Sequence, residues 1–253
     1  MKASISQIKL FKACRRAWDL KYREHLVPVN VSDALETGRN YHARLEALEK
    51  GEALDEDFSK DAAMATAYMK YIFPKFKVVA AEQHLEKEIG GHILYGYVDG
   101  LSDDGYIVEH KTTSMDISEG GEYEYNLLWD EQVLAYMALT GKRKVYYTVC
   151  RKPTIRQKKD ESDEDFYYRM VDWYDDDTDH KIRMFIVERT DEEVAAFEES
   201  FREICDAMAE GYPIYRNTCH CQSWGRRCEY ASICLNYDPT LSYVEFIKEE
   251  VER

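Results

Sequence analysis

Two acids and a lysine lie close together where the sequence alternates like a β-sheet. Asp99 ends the segment Gly96-Tyr97-Val98-Asp99, and Glu109 and Lys111 flank His110 about ten residues later. The turn between the two segments is short, which makes them antiparallel neighbours, and residues two apart on a strand point to one face. We therefore expect Asp99, Glu109 and Lys111 to meet at one point.

This combination of side chains suits a divalent metal ion. Mg²⁺ and Mn²⁺ take carboxylate oxygens from protein and keep positions for water and for substrate phosphate oxygens. A lysine beside the ion can position the attacking water and stabilise negative charge that develops on phosphorus. The competing interpretation is an exposed acid pair with a surface lysine, because acid-turn-acid-x-lysine patterns are common.

Three further polar residues flank this segment. His42 ends the pattern Gly38-x-x-x-His42 in a predicted helix before the strands. Gln132 and Tyr136 are four residues apart, which places both on one face of the helix predicted after Glu109. Each of them taken alone is more typical of a surface or core polar residue.

The surrounding pattern predicts helices and strands in a defined order. Ser4 or Ser6 could cap a first helix that runs to about residue 22. Gly90-Gly91 is typical of a hairpin turn, and Gly141 of a helix end. The predicted elements are helices at 33–48, 61–72, 124–139 and 190–208, and strands at 77–89, 92–101, 106–109, 145–149 and 182–188.

These residues, in this order, resemble the PD-(D/E)XK nuclease superfamily, and within it the RecB-type exonuclease branch. That branch includes AddB-type nuclease domains, CRISPR adaptation nucleases and phage exonucleases. The resemblance implies an α/β fold with a restriction-endonuclease-like αβββαβ core, in which helices flank a mixed sheet. It also implies N- and C-terminal helical segments joined by a metal cluster.

The resemblance also assigns roles at the active site. It implies a Mg²⁺ or Mn²⁺ site formed by His42, Asp99, Glu109 and the main-chain carbonyl of His110. Lys111 would orient and activate the water, while Gln132 and Tyr136 would shape the site. An acid on the first strand, Glu86 or Glu88, is a further candidate for a second metal.

The seven cysteines form a second group of candidate ligands. Four of them crowd into a short C-terminal stretch, and their spacing differs from the paired Cys-x₂-Cys of a zinc ribbon. Their side chains could bind either zinc or an iron–sulfur cluster. The crowded cysteines are Cys219, Cys221, Cys228 and Cys234.

The resemblance favours a 4Fe–4S cluster bound by one N-terminal and three C-terminal cysteines. The implied ligands are Cys14, Cys221, Cys228 and Cys234, the last two in the spacing Cys-x₅-Cys. Cys219 is the alternative to Cys221, whereas Cys150 and Cys205 are predicted to be core thiols. We thus predict one nuclease domain over 1–253, with a core at about 33–190 and a cluster module from 1–24 and 205–240.

The net charge is −15, so DNA binding requires a local basic surface. Residues 1–50 carry 10 basic and 6 acidic side chains, while 151–200 carry 9 basic and 16 acidic ones and are predicted to face away from DNA. Tyr41, Trp129 and Trp224 are candidates for base stacking. The candidate DNA-binding cations are Arg15, Arg16, Arg39, Arg226 and Arg227.

The leading hypothesis is a metal-dependent DNA exonuclease that acts on single strands or DNA ends in recombination, repair or phage DNA processing. We expect a cytoplasmic protein, bacterial or phage-encoded, because no apolar run reaches the roughly 20 residues of a membrane helix and no signal peptide is evident. A helicase or adaptation-complex partner and an oligomer are compatible with the sequence. The alternatives are a catalytically silent DNA-binding scaffold of a repair or CRISPR adaptation complex, and a zinc-stapled protein of unrelated function.

Overall fold

The computed structural model of the protein describes residues 1–29, 32–54, 57–211, 213–223, 226–236 and 246–248. The α-helices are α1 (Ile5–Ala13), α2 (Arg15–Trp18), α3 (Asp33–Glu49), α4 (Lys60–Tyr71), α5 (Glu122–Asn126), α6 (Glu131–Thr140), α7 (Asp163–Asp175), α8 (Asp191–Ala209) and α9 (Ala231–Asn236). The strands are β1 (Lys2–Ser4), β2 (Leu26–Pro28), β3 (Val78–Ile89), β4 (His92–Ser102), β5 (Ile107–Thr113), β6 (Lys144–Arg151), β7 (Ile182–Glu188), β8 (Gln222–Ser223), β9 (Arg226–Arg227) and β10 (Phe246–Lys248).

The chain divides into two compact units. The terminal unit comprises 1–32, 88–95 and 198–253, and the core unit comprises 33–87 and 96–197. In the terminal unit, β1 pairs in parallel with the first residues of β4, and β10 pairs with β2. An apolar cluster that includes Leu20, Tyr230 and Phe246 forms the interior of this unit.

The core unit is built on a mixed sheet. Its strands run in the order β4, β5, β6 and β7, and β3 pairs with β4. The β5–β6 pair is parallel and is linked through α6, whereas β4–β5 and β6–β7 are antiparallel. On one side, α3, α4 and α7 bury Tyr41, Leu45, Tyr68 and Tyr174 against the sheet. The predicted αβββαβ core with a mixed sheet between helices is confirmed.

Local sequence signals explain most of the element ends. The hairpin between β3 and β4 turns at Gly90 and Gly91, both with positive φ, as predicted. The Ser4 side chain accepts a hydrogen bond from the amide of Gln7 and caps α1, and Gly141 ends α6 in the left-handed conformation. Strand β7 begins and ends at the predicted residues.

Two helices predicted as continuous are interrupted. The first breaks at Cys14, whose backbone is extended, and resumes as α2 followed by a π-helical turn at Asp19–Arg23. The helix predicted over 124–139 breaks at Asp130, which is extended and caps α6 through its side chain. Asp is a preferred N-cap residue, so the sequence carries a sign of the second break. Cys14 makes no side-chain cap, so the first break has no such sign.

Candidate active site

The site lies where β4 and β5 stop pairing. In the described chain, the backbone ladder between them joins Gly100 to Val108 and Leu101 to Ile107. At the next position, the Asp99 side chain takes over, because its Oδ2 accepts a hydrogen bond from the amide of His110 at 2.7 Å. The Asp99 carboxylate is therefore fixed relative to β5.

Glu109 and Lys111 point to the same side of β5 and contact each other. The Lys111 ammonium contacts Glu109 Oε1 and donates to Gln132 Oε1 at 3.1 Å. Gln132 Nε2 lies within hydrogen-bond distance of Glu109 Oε1 (3.1 Å) and of the Tyr136 hydroxyl (2.7 Å). The structure thus brings these four predicted residues into one network, and the Gln132 amide orients both charged groups.

His42 approaches Asp99 from α3. Its Nδ1 lies 3.5 Å from Asp99 Oδ1. One helical turn earlier, a Cβ added at Gly38 would lie 3.3 Å from Thr112 Oγ1, near the end of β5. A glycine at this position therefore lets α3 pass close to the strand that carries the acid and the lysine.

The two carboxyl groups titrate in opposite directions. Burial, together with the nearby Asp99, raises the pKa of Glu109 to about 8. Burial also acts to raise the pKa of Asp99, but His42, His110 and Lys111 outweigh it and hold this pKa at about 2. The pKa of Lys111 is raised by Glu109 and Asp99 against the effect of burial. Without a metal, Glu109 therefore binds a proton more readily than an ordinary carboxyl group, and Asp99 less readily.

The acids leave a carboxylate oxygen available to a cation. Glu109 is 2% exposed, and its Oε2 is buried without a hydrogen-bond partner. Among the described residues, no three His, Cys, Asp or Glu side chains form a ready-made metal centre. Mg²⁺ commonly takes only one or two protein carboxylates and fills its remaining positions with water and phosphate oxygens. Asp99 and Glu109 fit that requirement.

Sequence reasoning missed three acids beside this site. Glu46, Glu49 and Glu82 line a small cavity of about 90 Å³ together with His42, Asp99 and His110. Within α3, the spacing of residues 42, 46 and 49 places all three on one face, a signal that was available from the sequence.

Glu49 belongs to a buried polar network behind the strand. Its Oε1 accepts a hydrogen bond from the Tyr68 hydroxyl at 2.9 Å and lies 2.9 Å from His110 Nε2. The other ring nitrogen of His110 is 2.7 Å from Thr148 Oγ1. Glu49 and His110 side chains are only 1% and 3% exposed. The network therefore anchors the strand residue that separates Glu109 from Lys111.

The acid of β3 that lines the cavity is Glu82, and not Glu86 or Glu88. Glu82 has a φ of 36°, a conformation that non-glycine residues seldom adopt. Glu86 is exposed and lies 3.5 Å from His84. The alternating strand pattern gives no indication of the backbone distortion at Glu82, so its position could not be read from the sequence.

Comparison with known proteins decides the family. The sequence profile of the PD-(D/E)XK nuclease superfamily matches residues 2–88 and 59–235. The chain belongs to this superfamily. The site described above therefore lies in a PD-(D/E)XK nuclease fold. It comprises an acid on one strand, Glu-x-Lys on the next and Gln-x-x-x-Tyr on the following helix.

Solved structures with low sequence identity are similar to this chain. A protein provisionally assigned as an exonuclease from Eubacterium rectale shares 12% identity over 92% of each chain, with a TM-score of 0.52. A phage-related exonuclease from Haemophilus somnus shares 14% identity over 71% of this chain and 84% of its own, with a TM-score of 0.40. The comparison with curated proteins finds no match.

The four cysteines predicted to bind a cluster all lie in the terminal unit of this PD-(D/E)XK chain. Asn217 links two of them: its amide donates to Cys14 Sγ, and its carbonyl accepts from Cys221 Sγ. Cys228 and Cys234 pack against the apolar cluster that contains Cys14. Burial raises the pKa of both thiols, and neighbouring cysteines add to it: Cys234 and Cys14 act on Cys228, and Cys14 and Cys221 act on Cys234.

The other three cysteines lie elsewhere. Cys219 is exposed. Cys150 and Cys205 have no exposed surface, which confirms that they are core thiols. The Cys150 thiol also donates to the Tyr174 hydroxyl at 3.3 Å.

The predicted DNA-binding arginines have different surroundings. Arg16 pairs with Asp19 and Glu24, and Arg15 stacks on Phe11 and Tyr215. Arg39 and Arg227 are exposed, and the side chain of Arg226 lies outside the described part of the chain. The pairing of Arg16 with two acids makes it the weakest of these candidates for phosphate binding.

The residues predicted to stack on bases differ in exposure. Tyr41 is 1% exposed and belongs to the core, whereas Trp129 is 70% exposed; Trp224 lies outside the described residues. None of the helices in the described ranges combines the length and apolar character needed to cross a membrane.

The titration of Glu109 predicts how pH affects the metal-free nuclease. Its pKa of about 8 in the folded state exceeds the ordinary value of 4.5, so the folded protein holds a proton that the unfolded chain releases. The stabilising contribution is complete below pH 4.5 and is lost as the pH rises through 8. We expect melting temperatures in EDTA to fall over this range, and Mn²⁺ to raise them more at the alkaline end.

Glu109→Gln is the matched control, because it removes the titrating group and keeps the shape. Its melting temperature should depend less on pH than that of the wild type over the same range. Equal pH slopes for the two proteins would contradict the assignment of the proton to Glu109.

Proposed function

We propose that the protein is a metal-dependent exonuclease that hydrolyses phosphodiester bonds of DNA. The observation that carries the proposal is the network of Glu109, Lys111 and Gln132, with a buried oxygen of Glu109 left without a partner. Membership of the PD-(D/E)XK superfamily supports a nuclease. The structure from Eubacterium rectale described above is provisionally assigned as an exonuclease, which supports an exonuclease here.

The donor set favours Mg²⁺ or Mn²⁺. Asp99, Glu109 and the carbonyl of His110 would hold the ion, and His42 would add a nitrogen ligand that favours Mn²⁺. When bound, the ion supplies Lewis-acid stabilisation of charge on a phosphate oxygen. Lys111 has a pKa above its ordinary value, so it stays charged and acts by donating hydrogen bonds to water or phosphate. Gln132 holds Lys111 in place.

Labelled oligonucleotides test this proposal. Single-stranded and duplex DNA, labelled at either end, should be shortened in Mg²⁺ or Mn²⁺ and should stay intact in EDTA. The label released first gives the polarity of cleavage. Intact DNA under every metal condition, with DNA binding retained, would instead favour the catalytically silent scaffold.

We further propose that the terminal unit binds a 4Fe–4S cluster. Cys14, Cys221, Cys228 and Cys234 would hold it, and their thiolates are the ligand type that such clusters require. The grouping of these thiols around Asn217 and the apolar cluster supports this ligand set. A cluster there would tie α1 and α2 to the C-terminal segment, which is a structural role.

Cys14→Ala is expected to lose the cluster. Wild-type protein purified without oxygen should be brown, absorb at about 400 nm and contain about four irons per chain. The variant should lose the colour, the iron and thermal stability. Cys219→Ala, which changes an exposed neighbouring thiol, should keep all three. Zinc in place of iron in the wild type would contradict the cluster. If Cys219→Ala loses iron and Cys221→Ala keeps it, Cys219 is the cluster ligand and Cys221 is not.

A further inference from the structure

An exposed aromatic pair lies on the segment between β5 and α6. Tyr125 is 61% exposed and Trp129 is 70% exposed, with Leu128 between them at 56%. The two rings meet edge to face with centroids 6.4 Å apart. Tyrosine and tryptophan gain most from burial of their large rings, so an exposed pair of this kind is typical of a binding surface.

This pair is attached directly to the candidate active site. Trp129 precedes Asp130, whose carboxylate accepts from the amide of Gln132 at 3.1 Å and from the Tyr147 hydroxyl at 3.0 Å. Gln132 in turn contacts both Glu109 and Lys111. The rings are therefore carried by a segment that is anchored to the sheet beside the network.

The chain distance between Trp129 and Gln132 of the network corresponds to a few nucleotides. Three peptide units separate Trp129 from Gln132, so their Cα atoms are at most about 11 Å apart. Stacked nucleotides advance about 3.4 Å each along a strand. A strand that is held at Glu109 and Lys111 and follows this segment would thus bring a base about three nucleotides away to the level of Trp129.

Charge alone does not account for binding on this surface. A groove of about 430 Å³ runs between the segment and β7, and both Arg183 and Glu188 line it. Arg189 also lines the groove and donates to the carbonyl of Leu127 at 2.7 Å, which fixes the segment. The groove has mixed charge, and its lining residues Glu124, Leu127 and Leu128 are sequence neighbours of Tyr125 and Trp129. A nucleic acid on this surface would therefore gain mainly from stacking on the two rings, which nucleobases do whatever the sequence.

We propose that Tyr125 and Trp129 form a stacking platform for unpaired nucleobases beside the scissile phosphate. The proposal rests on the proposed nuclease function and narrows its substrate to DNA whose bases are unpaired within about three nucleotides of the cut. A duplex end must therefore fray before it enters the site.

Equilibrium binding of fluorescent single-stranded oligonucleotides, with Ca²⁺ in place of Mg²⁺, tests the platform. Trp129→Ala should raise the dissociation constant about five- to a hundredfold, and Trp129→Phe should recover most of the affinity because it restores a ring. Tyr168→Ala is the matched control: Tyr168 is 55% exposed on α7 and should bind as the wild type does.

An abasic scan locates the contact. In the wild type, removal of one base within three or four nucleotides of the phosphate that is cut should weaken binding of the oligonucleotide. In Trp129→Ala, removal of the same base should not weaken binding further. Equal affinity of Trp129→Ala and the wild type would overturn the platform, as would an abasic penalty that survives in the variant. Unchanged DNA affinity with altered sedimentation of Trp129→Ala would identify the patch as a protein interface instead.

The two proposals can fail separately. A wild type that neither binds nor cuts DNA overturns the nuclease function, and with it the platform. A wild type that cuts single strands and frayed ends no faster than a closed duplex, with Trp129→Ala equally active, overturns the platform alone.

Discussion

Lys111→Ala is expected to slow DNA cleavage about a hundred- to ten-thousandfold, the range found when one charged or proton-transferring group is removed from a catalytic site. The ammonium contacts Glu109 and is held at 3.1 Å by Gln132. Alanine removes the hydrogen-bond donor and leaves Gln132 and both carboxylates in place. Single-turnover rates measure the loss, and oligonucleotide affinity should change only slightly.

The matched control is Lys158→Ala, which removes an exposed lysine of the core unit and should cut DNA at the wild-type rate. The cleavage rate of Gln132→Ala should lie between those of Lys111→Ala and Lys158→Ala, because Lys111 keeps its charge but loses its hydrogen bond to Gln132. If Lys111→Ala and Lys158→Ala cleave equally fast, the catalytic assignment of β5 is wrong.

Glu49→Ala is expected to lower the free energy of unfolding by about 3–5 kcal/mol, the usual cost of removing one partner of a buried charged pair. The substitution leaves His110 and the Tyr68 hydroxyl without their shared acceptor in a site that is almost fully buried. Urea or guanidinium unfolding in the metal-free state measures the change. His110, which loses its contact with Glu49 in this variant, also carries the main-chain carbonyl proposed to bind the metal, so the affinity for the metal should fall.

Glu49→Gln and Glu86→Ala serve as comparisons. Glutamine keeps an acceptor and should be less destabilising, while Glu86 is on the exposed side of β3 and should matter little. Glu49 and other acids raise the pKa of His110 above 6.5 against the effect of burial. The contribution of its charged form is therefore complete below pH 6.5 and is lost as the pH rises through the raised value. Equal stabilities of Glu49→Ala and Glu86→Ala would contradict the pairing.

The regular part of the fold could be predicted from local patterns. Alternation and glycine punctuation predicted the β3–β4 hairpin and the extent of β7, because each depends on neighbouring residues. The two helix breaks differ in this respect. Asp130 is a local N-cap of α6 and also contacts Tyr147 on β6, whereas Cys14 makes no side-chain cap and accepts a hydrogen bond from the distant Asn217, which leaves no mark in the local sequence.

The candidate site divides in the same way. Glu109 and Lys111 could be placed on one face because a strand alternates, and Gln132 with Tyr136 because a helix repeats. Glu49 follows His42 by two helical turns and could have been found by the same reasoning. Glu82 could not, since the alternating pattern of β3 gives no sign that this acid, and not Glu86 or Glu88, lines the cavity.

The hydrogen bond from the His110 amide to Asp99 bears on how an inactive protein should be made. The carboxylate at this position takes the place of a main-chain carbonyl between β4 and β5. Alanine would leave that amide unsatisfied, at about 1–3 kcal/mol, and would disturb the surface to be studied. Asparagine keeps an acceptor while it removes the charge. Asp99→Asn is therefore the better bait for capturing intact nucleic acid from a mixture.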